Sequence, residues 1–166
     1  MTGTRSFLRL LAGVFIFGAP AVAAAEVTVR FAAIEKYVDA GASEGERARN
    51  LAVIERHIRA AAQRCVGADG RLDVEVLDVD LAGEVDWSRS AALEQRSLRD
   101  ETPPRLEIAF KLLDATGTMR GEVRDRLVDM DYLRRGARER FAREALPYER
   151  AMLEDWVARR LCPLPR

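Results

Sequence analysis

The chain has 166 residues, of which 27 are basic, 27 are acidic and 48% are hydrophobic. This length suits a single domain with an ordinary hydrophobic core. The balanced charge argues against a bulk electrostatic attraction to nucleic acid or to an anionic membrane, so we expect no nucleic-acid partner.

The first 25 residues are ordered like a secretory signal peptide. Arg5 and Arg9 provide a positively charged start. An apolar run over 10–17 and an alanine-rich exit at 21–25 follow. The run is too short to cross a bilayer, which takes about 20 apolar residues. The pattern therefore predicts a signal peptide over 1–25 and a bacterial protein that is periplasmic or secreted.

Cleavage has two candidate positions, because an Ala-x-Ala pattern precedes both Ala24 and Glu26. We prefer cleavage before Glu26, which leaves a charged residue at the new terminus. The mature chain, 26–166, then has 141 residues and no further apolar segment of membrane length. The leader removes two of the 27 basic residues and no acid, so the mature net charge is −2.

The mature chain opens with a strand and a helix. Apolar and polar residues alternate over 27–31, which predicts a half-buried strand. Ser43 and Glu46 match a capping box, the pattern that opens a helix. The apolar spacing that follows extends this helix to about Arg64.

A second strand is predicted over 72–81, with a change of apolar phase in its middle. Apolar residues occupy even positions up to Val76 and odd positions from Leu77, so we expect a β-bulge near these two residues. The polar segment 84–104 ends in two prolines. It is predicted to be a loop with a helical turn around 91–95.

A hairpin is predicted from two strands on either side of a turn at 114–117. Apolar residues are even-numbered before the turn and odd-numbered after it. If the apolar residues of both strands lie on one face, the numbers of two residues that pair across the hairpin must add up to an odd total. A four-residue loop meets this condition and places Phe110 beside Gly121, which leaves room for the ring. A three-residue loop would place Phe110 beside Glu122.

A closing helix is predicted over 147–161, with Pro147 in its first turn and an apolar stripe along one side. The element order is then β-α-β-β-β-α. This order predicts one α+β domain with a roughly four-stranded, mostly antiparallel sheet and two helices packed on one face.

Two cysteines, Cys65 and Cys162, remain in the mature chain. If both helices cover the same sheet face, their ends can meet, and an oxidising compartment favours a bond between them. We therefore predict a disulfide between Cys65 and Cys162. The alternative is a packed thiol at Cys65 and a free one near the C-terminus.

Two aspartate pairs are the candidate metal ligands. Asp78 with Asp80, and Asp129 with Asp131, have the spacing that puts both carboxylates on one face of a strand. Two such pairs on neighbouring strands could supply oxygen ligands for Ca²⁺ or Mg²⁺. The alternative is that each carboxylate pairs with a nearby arginine or caps a turn. We expect no other cofactor.

No catalytic residue is assigned from the sequence. It lacks the short motifs of serine hydrolases, zinc proteases and nucleotide-binding loops. His57, the only histidine, lies beside the apolar stripe of the first helix. The arginine-rich stretch 134–143 contains acids and is predicted to be salt-paired and solvated. Trp87 is either a plug over the sheet edge or an exposed contact residue.

Several blocks of the mature chain together resemble one protein family. They are VTVRF at 27–31, DVDLAGE at 78–84, PPR at 103–105, DMDYL at 129–133 and YERAMLEDW at 148–156. The blocks resemble an exported bacterial family known as domain of unknown function 3016, over essentially the whole mature chain. The resemblance implies an exported single domain and brings no activity, cofactor or catalytic residue.

The function expected from the sequence is that of a periplasmic, non-enzymatic module that binds an envelope protein or another envelope ligand. The alternative is a divalent-cation-binding protein that uses the paired aspartates. An enzyme based on carboxylate chemistry ranks third.

Overall fold

The computed structural model describes residues 25–67, 69–85 and 96–164. The signal peptide predicted over 1–25 falls outside these residues except for Ala25. Trp87 and the helical turn predicted around 91–95 also fall outside them.

Four strands form the main sheet. They are β1 (Glu26–Phe31), β2 (Arg71–Asp80), β5 (Arg105–Leu113) and β6 (Met119–Val128), in the spatial order β1-β2-β5-β6. Two short strands, β3 (Glu84–Val85) and β4 (Arg96–Ser97), form a separate antiparallel pair. In the main sheet β1 runs parallel to β2, and the other neighbours are antiparallel. The α+β prediction is thus confirmed, with a mixed sheet.

The parallel pair follows from the helix that lies between its strands, since parallel strands need a long crossover connection. This helix, α1 (Glu44–Ala62), begins where the capping box was predicted. The side chain of Ser43 accepts a hydrogen bond from the Glu46 backbone N–H at 3.2 Å. The Glu46 carboxylate accepts one from the N–H of Ala42 at 2.6 Å.

The C-terminal part of the chain is helical. It contains the short helix α2 (Ala137–Arg140), then α3 (Pro147–Trp156), which continues directly into a π-helical turn (Val157–Leu161). Pro147 is the first residue of α3, where its missing N–H costs no internal hydrogen bond. The closing helix predicted over 147–161 therefore forms, with a wider last turn.

The hydrophobic core lies between one face of the main sheet and the two long helices. Ile54 and Ile58 of α1 are fully buried, as is Leu153 of α3. Trp156 meets Phe110 of β5 edge-on, with ring centroids 5.5 Å apart. Such a contact between aromatic rings adds about 1 kcal/mol to the burial of their surface.

A β-bulge in β2 keeps its apolar side chains on the core face. The register with β5 shifts between Val76 and Asp78, which is where the phase change predicted it. Because of this shift, Val76 and Val79 are both fully buried although they are three residues apart. Without the bulge one of them would face water.

The predicted register of the hairpin is wrong by two residues. Phe110 pairs with Val123, and Gly121 pairs with Leu112. The loop has three residues, because the N–H of Asp114 binds the carbonyl of Thr118 at 3.0 Å.

The shared apolar face is nevertheless preserved. Leu113 pairs with Met119, but the next pair is Leu112 with Gly121, so Arg120 is an extra residue on β6. This bulge restores the odd sum that the short loop would have lost. The space at Gly121 serves the C-terminal segment, since a Cβ there would lie 2.8 Å from a methyl of Leu164.

A disulfide joins Cys65 to Cys162, as predicted from the sequence. Cys65 follows the end of α1, and Cys162 follows the π-helical turn. Their Cα atoms are 4.8 Å apart, and the bond spans 97 positions of the chain. It therefore ties the two helices together at one end of the core.

We expect the double variant C65S/C162S to lose about 4 kcal/mol of unfolding free energy, because a cross-link over a loop of this length restricts the unfolded chain. Urea denaturation of the oxidised wild type and the variant measures the difference. Reduced wild type is the control and should match the variant. Two free thiols in the unfolded, unreduced wild type would contradict the bond.

Candidate functional site

The candidate aspartates lie at the end of the sheet where β2 and β6 finish and β5 begins. Asp78 accepts hydrogen bonds from two backbone N–H groups, that of Val38 at 3.0 Å and its neighbour Val79 at 2.9 Å. Asp80 pairs with Arg105 at 2.9 Å. Burial raises the pKa of Asp80, and the bond to Arg105 opposes this shift.

The second aspartate pair follows β6 and is held by arginines. Asp129 is buried, with 5% of its surface exposed, and binds Arg135 at 3.2 Å. Asp131 is exposed and lies 3.9 Å from Arg134. Its backbone N–H also donates to the Asp129 carboxylate, which closes a turn.

The structure does not bring the two pairs together. Strand β5 lies between β2 and β6, so Arg105 separates Asp80 from the end of β6. Among the described residues, no group of three or more His, Cys, Asp or Glu side chains could hold a metal ion. Each aspartate instead has the arginine or backbone partner of the alternative interpretation.

A buried polar cluster holds the segment 81–83 that follows β2. The guanidinium of Arg96 donates to the carbonyls of Leu81, Ala82 and Gly83 and to the carboxylate of Asp39. One side chain therefore provides a hydrogen-bond donor for three consecutive carbonyl groups, and backbone acceptors inside a fold need such partners.

Glu149, the third residue of α3, holds the same segment from the other side. It is 1% exposed, and its carboxylate accepts a hydrogen bond from the Ala82 N–H at 2.8 Å. Burial raises the pKa of Glu149, while the bond from Ala82 and the charge of Arg96 oppose this shift. The two side chains thus fix the exit of β2 against the start of α3.

Sequence reasoning did not find this cluster. Glu149, Leu153 and Trp156 recur at helical spacing and are all buried, so the carboxylate lies within the apolar stripe. A carboxylate at a position of the apolar stripe was the feature of the sequence that could have identified Glu149. No feature of the sequence identified Arg96, because the tertiary fold determines which groups its side chain contacts.

The sequence places His57 beside the apolar stripe of α1, as a residue at the boundary of the packed face, whereas in the structure it is buried in the core. It is 3% exposed, and its Nε2 lies 2.9 Å from the carbonyl of Ala145. Nδ1 has no hydrogen-bond partner among the described residues and lies 3.8 Å from the Glu144 carboxylate. Burial lowers the pKa of His57, and the charge of Arg150 contributes in the same direction. A neutral imidazole that packs α1 against the 144–146 segment fits these contacts.

The arginine-rich stretch 134–143 is partly salt-paired. Arg135 bridges Asp129 and Asp155, and Arg140 binds Glu154 at 3.1 Å. This agrees with the salt-paired interpretation for these residues.

The sheet face opposite the helices is not covered by any described element. Its charges pair across strands: Lys111 with Glu122 at 3.0 Å, and Arg124 with Glu107 at 2.8 Å. A shallow cavity of about 260 Å³ lies on this face, lined by Thr28, Arg30, Asp73, Glu75, Lys111 and Glu122 among others.

A second groove lies where α3 and the π-helical turn pass the outer strand β6. Its volume is about 230 Å³. It is lined by Asp125, Arg126, Leu127 and Val128 of β6 and by Met152, Trp156, Arg159 and Arg160. In the described part of the chain, no helix is long and apolar enough to cross a membrane.

These features define an α+β domain with one covered and one open sheet face. The chain matches the family model described as Protein of unknown function (DUF3016) over residues 25–159, and it belongs to that family. None of the curated proteins compared with it matches.

Solved structures similar to the chain include two of the same dodecamer. The PelC dodecamer from Paraburkholderia phytofirmans is 11% identical, with 86% of this chain and 92% of that chain covered and a TM-score of 0.35. A point variant of that dodecamer is 13% identical, with 84% and 88% covered and a TM-score of 0.31.

Replacing Glu149 by Gln should preserve or raise stability at pH 7, because an amide oxygen still accepts the Ala82 N–H without an ionised group in the core. The raised pKa means that this carboxyl stabilises the fold below about pH 4.5, its ordinary pKa, and that this stability is lost as pH rises through the folded-state pKa. The advantage of Gln should therefore grow from pH 4.5 towards 7.

The matched control is Glu149→Ala, which leaves the Ala82 N–H buried without an acceptor and should be about 1–3 kcal/mol less stable than the Gln variant at every pH, since neither variant titrates at this position. Urea denaturation at several pH values measures both variants. A Gln variant as unstable as the Ala variant would contradict the assigned role.

Proposed function

We propose that this protein is an exported, non-enzymatic binding or accessory module of the bacterial cell envelope. The observation that carries the proposal is the open surface: one whole sheet face and the outer side of β6 are covered by no described element. A fold that buries only one side of its sheet leaves a large rigid surface available to a partner.

Export is supported by two independent features. The first 25 residues have the order of a signal peptide. The bond between Cys65 and Cys162 is of the kind that persists in oxidising compartments and is rare in the cytosol.

The non-enzymatic role is supported by the engagement of the groups suited to chemistry. His57 is buried and binds a backbone carbonyl, and Cys65 is in a disulfide. Glu149 is buried against the backbone of Ala82. No observation favours Ca²⁺ or Mg²⁺ binding by Asp78, Asp80, Asp129 and Asp131 as a second function.

Intact-mass analysis of the protein purified from its native host should find a chain that begins at Glu26, or at Ala24 as the second choice. The reason is that signal peptidase cleaves after small residues spaced as in the alanine-rich exit. A bulk population that retains Met1 would contradict export by this route.

Affinity capture from a native envelope extract, with residues 26–166 as bait, should retain a defined partner. The matched variant exchanges Lys111 and Glu122 (K111E/E122K), which keeps their ion pair but reverses the charge at each position of the open face. Loss of the partner in this variant would locate binding on that face. Capture of nothing beyond a tag-only control, or catalytic turnover by the purified protein, would contradict the proposed role.

A further inference from the structure

We propose that the outer edge of β6 binds an extended, acidic segment of a partner protein as an additional strand. This inference rests on the proposed binding function and deepens it by naming the surface and the chemistry of the partner. The carboxylates of the segment would meet Arg126 and Arg159, and its backbone would pair with β6.

The first argument is that β6 is a long strand with a free side. It has ten residues, and within the described ranges it pairs with β5 alone. In an antiparallel pair, alternate backbone N–H and C=O groups point away from the partner strand. Among the described residues, no side chain or loop backbone hydrogen-bonds to the β6 backbone. Such an edge can accept another strand.

The second argument is that a groove runs beside the edge. Met152 and Trp156, each 4% exposed, contribute to its lining. Trp156 is held in place by a hydrogen bond from its Nε1 to Asp125 at 3.0 Å. Because side chains alternate along an added strand, every second one would face this wall.

The third argument is the charge on the two sides of the strand edge. Arg160 binds Asp125 at 2.9 Å, which neutralises that carboxylate. Arg126 and Arg159 are exposed, and neither forms an ion pair or side-chain hydrogen bond within the described residues. By strand alternation Arg126 lies on the open-face side of β6, two residues after Arg124. Arg159 instead lies on the helix side, with Asp125 and Trp156. One unpaired guanidinium group therefore remains on each side of the strand edge, and both favour an acidic partner.

The same charge disfavours a second copy of this chain as the occupant. In a two-fold symmetric pairing each surface meets itself. Two copies joined through β6 would bring one set of unpaired arginines towards the other. A partner segment with carboxylates on neighbouring residues presents one to each side of the edge, which removes this repulsion and satisfies the same backbone groups.

The test begins with a displayed library of random linear 12-residue peptides selected against the oxidised mature protein. The enriched peptides should be acidic, and a synthetic copy of the best one should protect the backbone amides of β6 from hydrogen exchange. A version of that peptide with alternate backbone nitrogens methylated should not bind, because it cannot pair with the strand.

The double variant R126Q/R159Q should bind the selected peptide at least about tenfold more weakly, the effect of about 1.4 kcal/mol. The matched control is Arg56→Gln, which removes an exposed arginine on α1 and should leave the affinity unchanged. Thermal melting of both variants should match the wild type. The single variant Arg159→Gln provides a second measurement if the double variant does not fold.

Enriched peptides without acidic residues would overturn the inference, and so would unchanged affinity in a folded variant lacking one or both arginines. Protection of the open face instead of β6, or concentration-dependent self-association that protects β6, would overturn it as well. A library that yields no binder would also overturn it. A partner captured from the envelope extract that the selected peptide does not displace would refute the edge site and leave the proposed binding function standing.

Discussion

The fold depends on burying one face of a four-stranded sheet under two helices. Since no described element covers the opposite face, each strand has to direct most of its large apolar side chains to the core side. β2 does so with the bulge after Val76, and β6 does so with the extra residue Arg120. Both irregularities occur where a regular strand would turn apolar residues towards water. The two bulges are therefore consequences of one-sided burial.

The same constraint explains what the sequence predicts about the hairpin and what it does not. Alternation requires the numbers of residues paired between β5 and β6 to add up to an odd total, and the pairs from Leu112 with Gly121 onwards meet this requirement. The register itself depends on local hydrogen bonds in the turn, which the alternation of apolar and polar residues does not predict. The Asp114 side chain accepts bonds from the N–H groups of Thr116 and Thr118, both at 2.9 Å, and closes the shorter loop. The bulge at Arg120 then restores the phase.

The candidate site was less predictable than the fold. The cysteine pair follows from two helices on one face, which periodicity indicates. The aspartate pairs have the spacing that puts both carboxylates on one face of a strand. The order of the strands cannot be derived from spacing, and it places β5 between the two pairs. The bond from Ala82 to Glu149 spans 67 positions and that from Arg96 to Ala82 spans 14. Such contacts arise from the tertiary fold, and so does the position of β6 at the edge.

The surface charges near β6 fall into two classes. Lys111 and Glu122 satisfy each other on the open face, so a partner that binds either one must break an existing pair. Arg126, on the open-face side of β6, and Arg159, on the helix side, have no ion-pair partner among the described residues, and their attraction for a carboxylate is offset only by the loss of hydration. Charged side chains on an edge strand also oppose pairing between copies. In the proposed complex, the arginines that disfavour pairing between copies are thus the ones that would select an acidic segment.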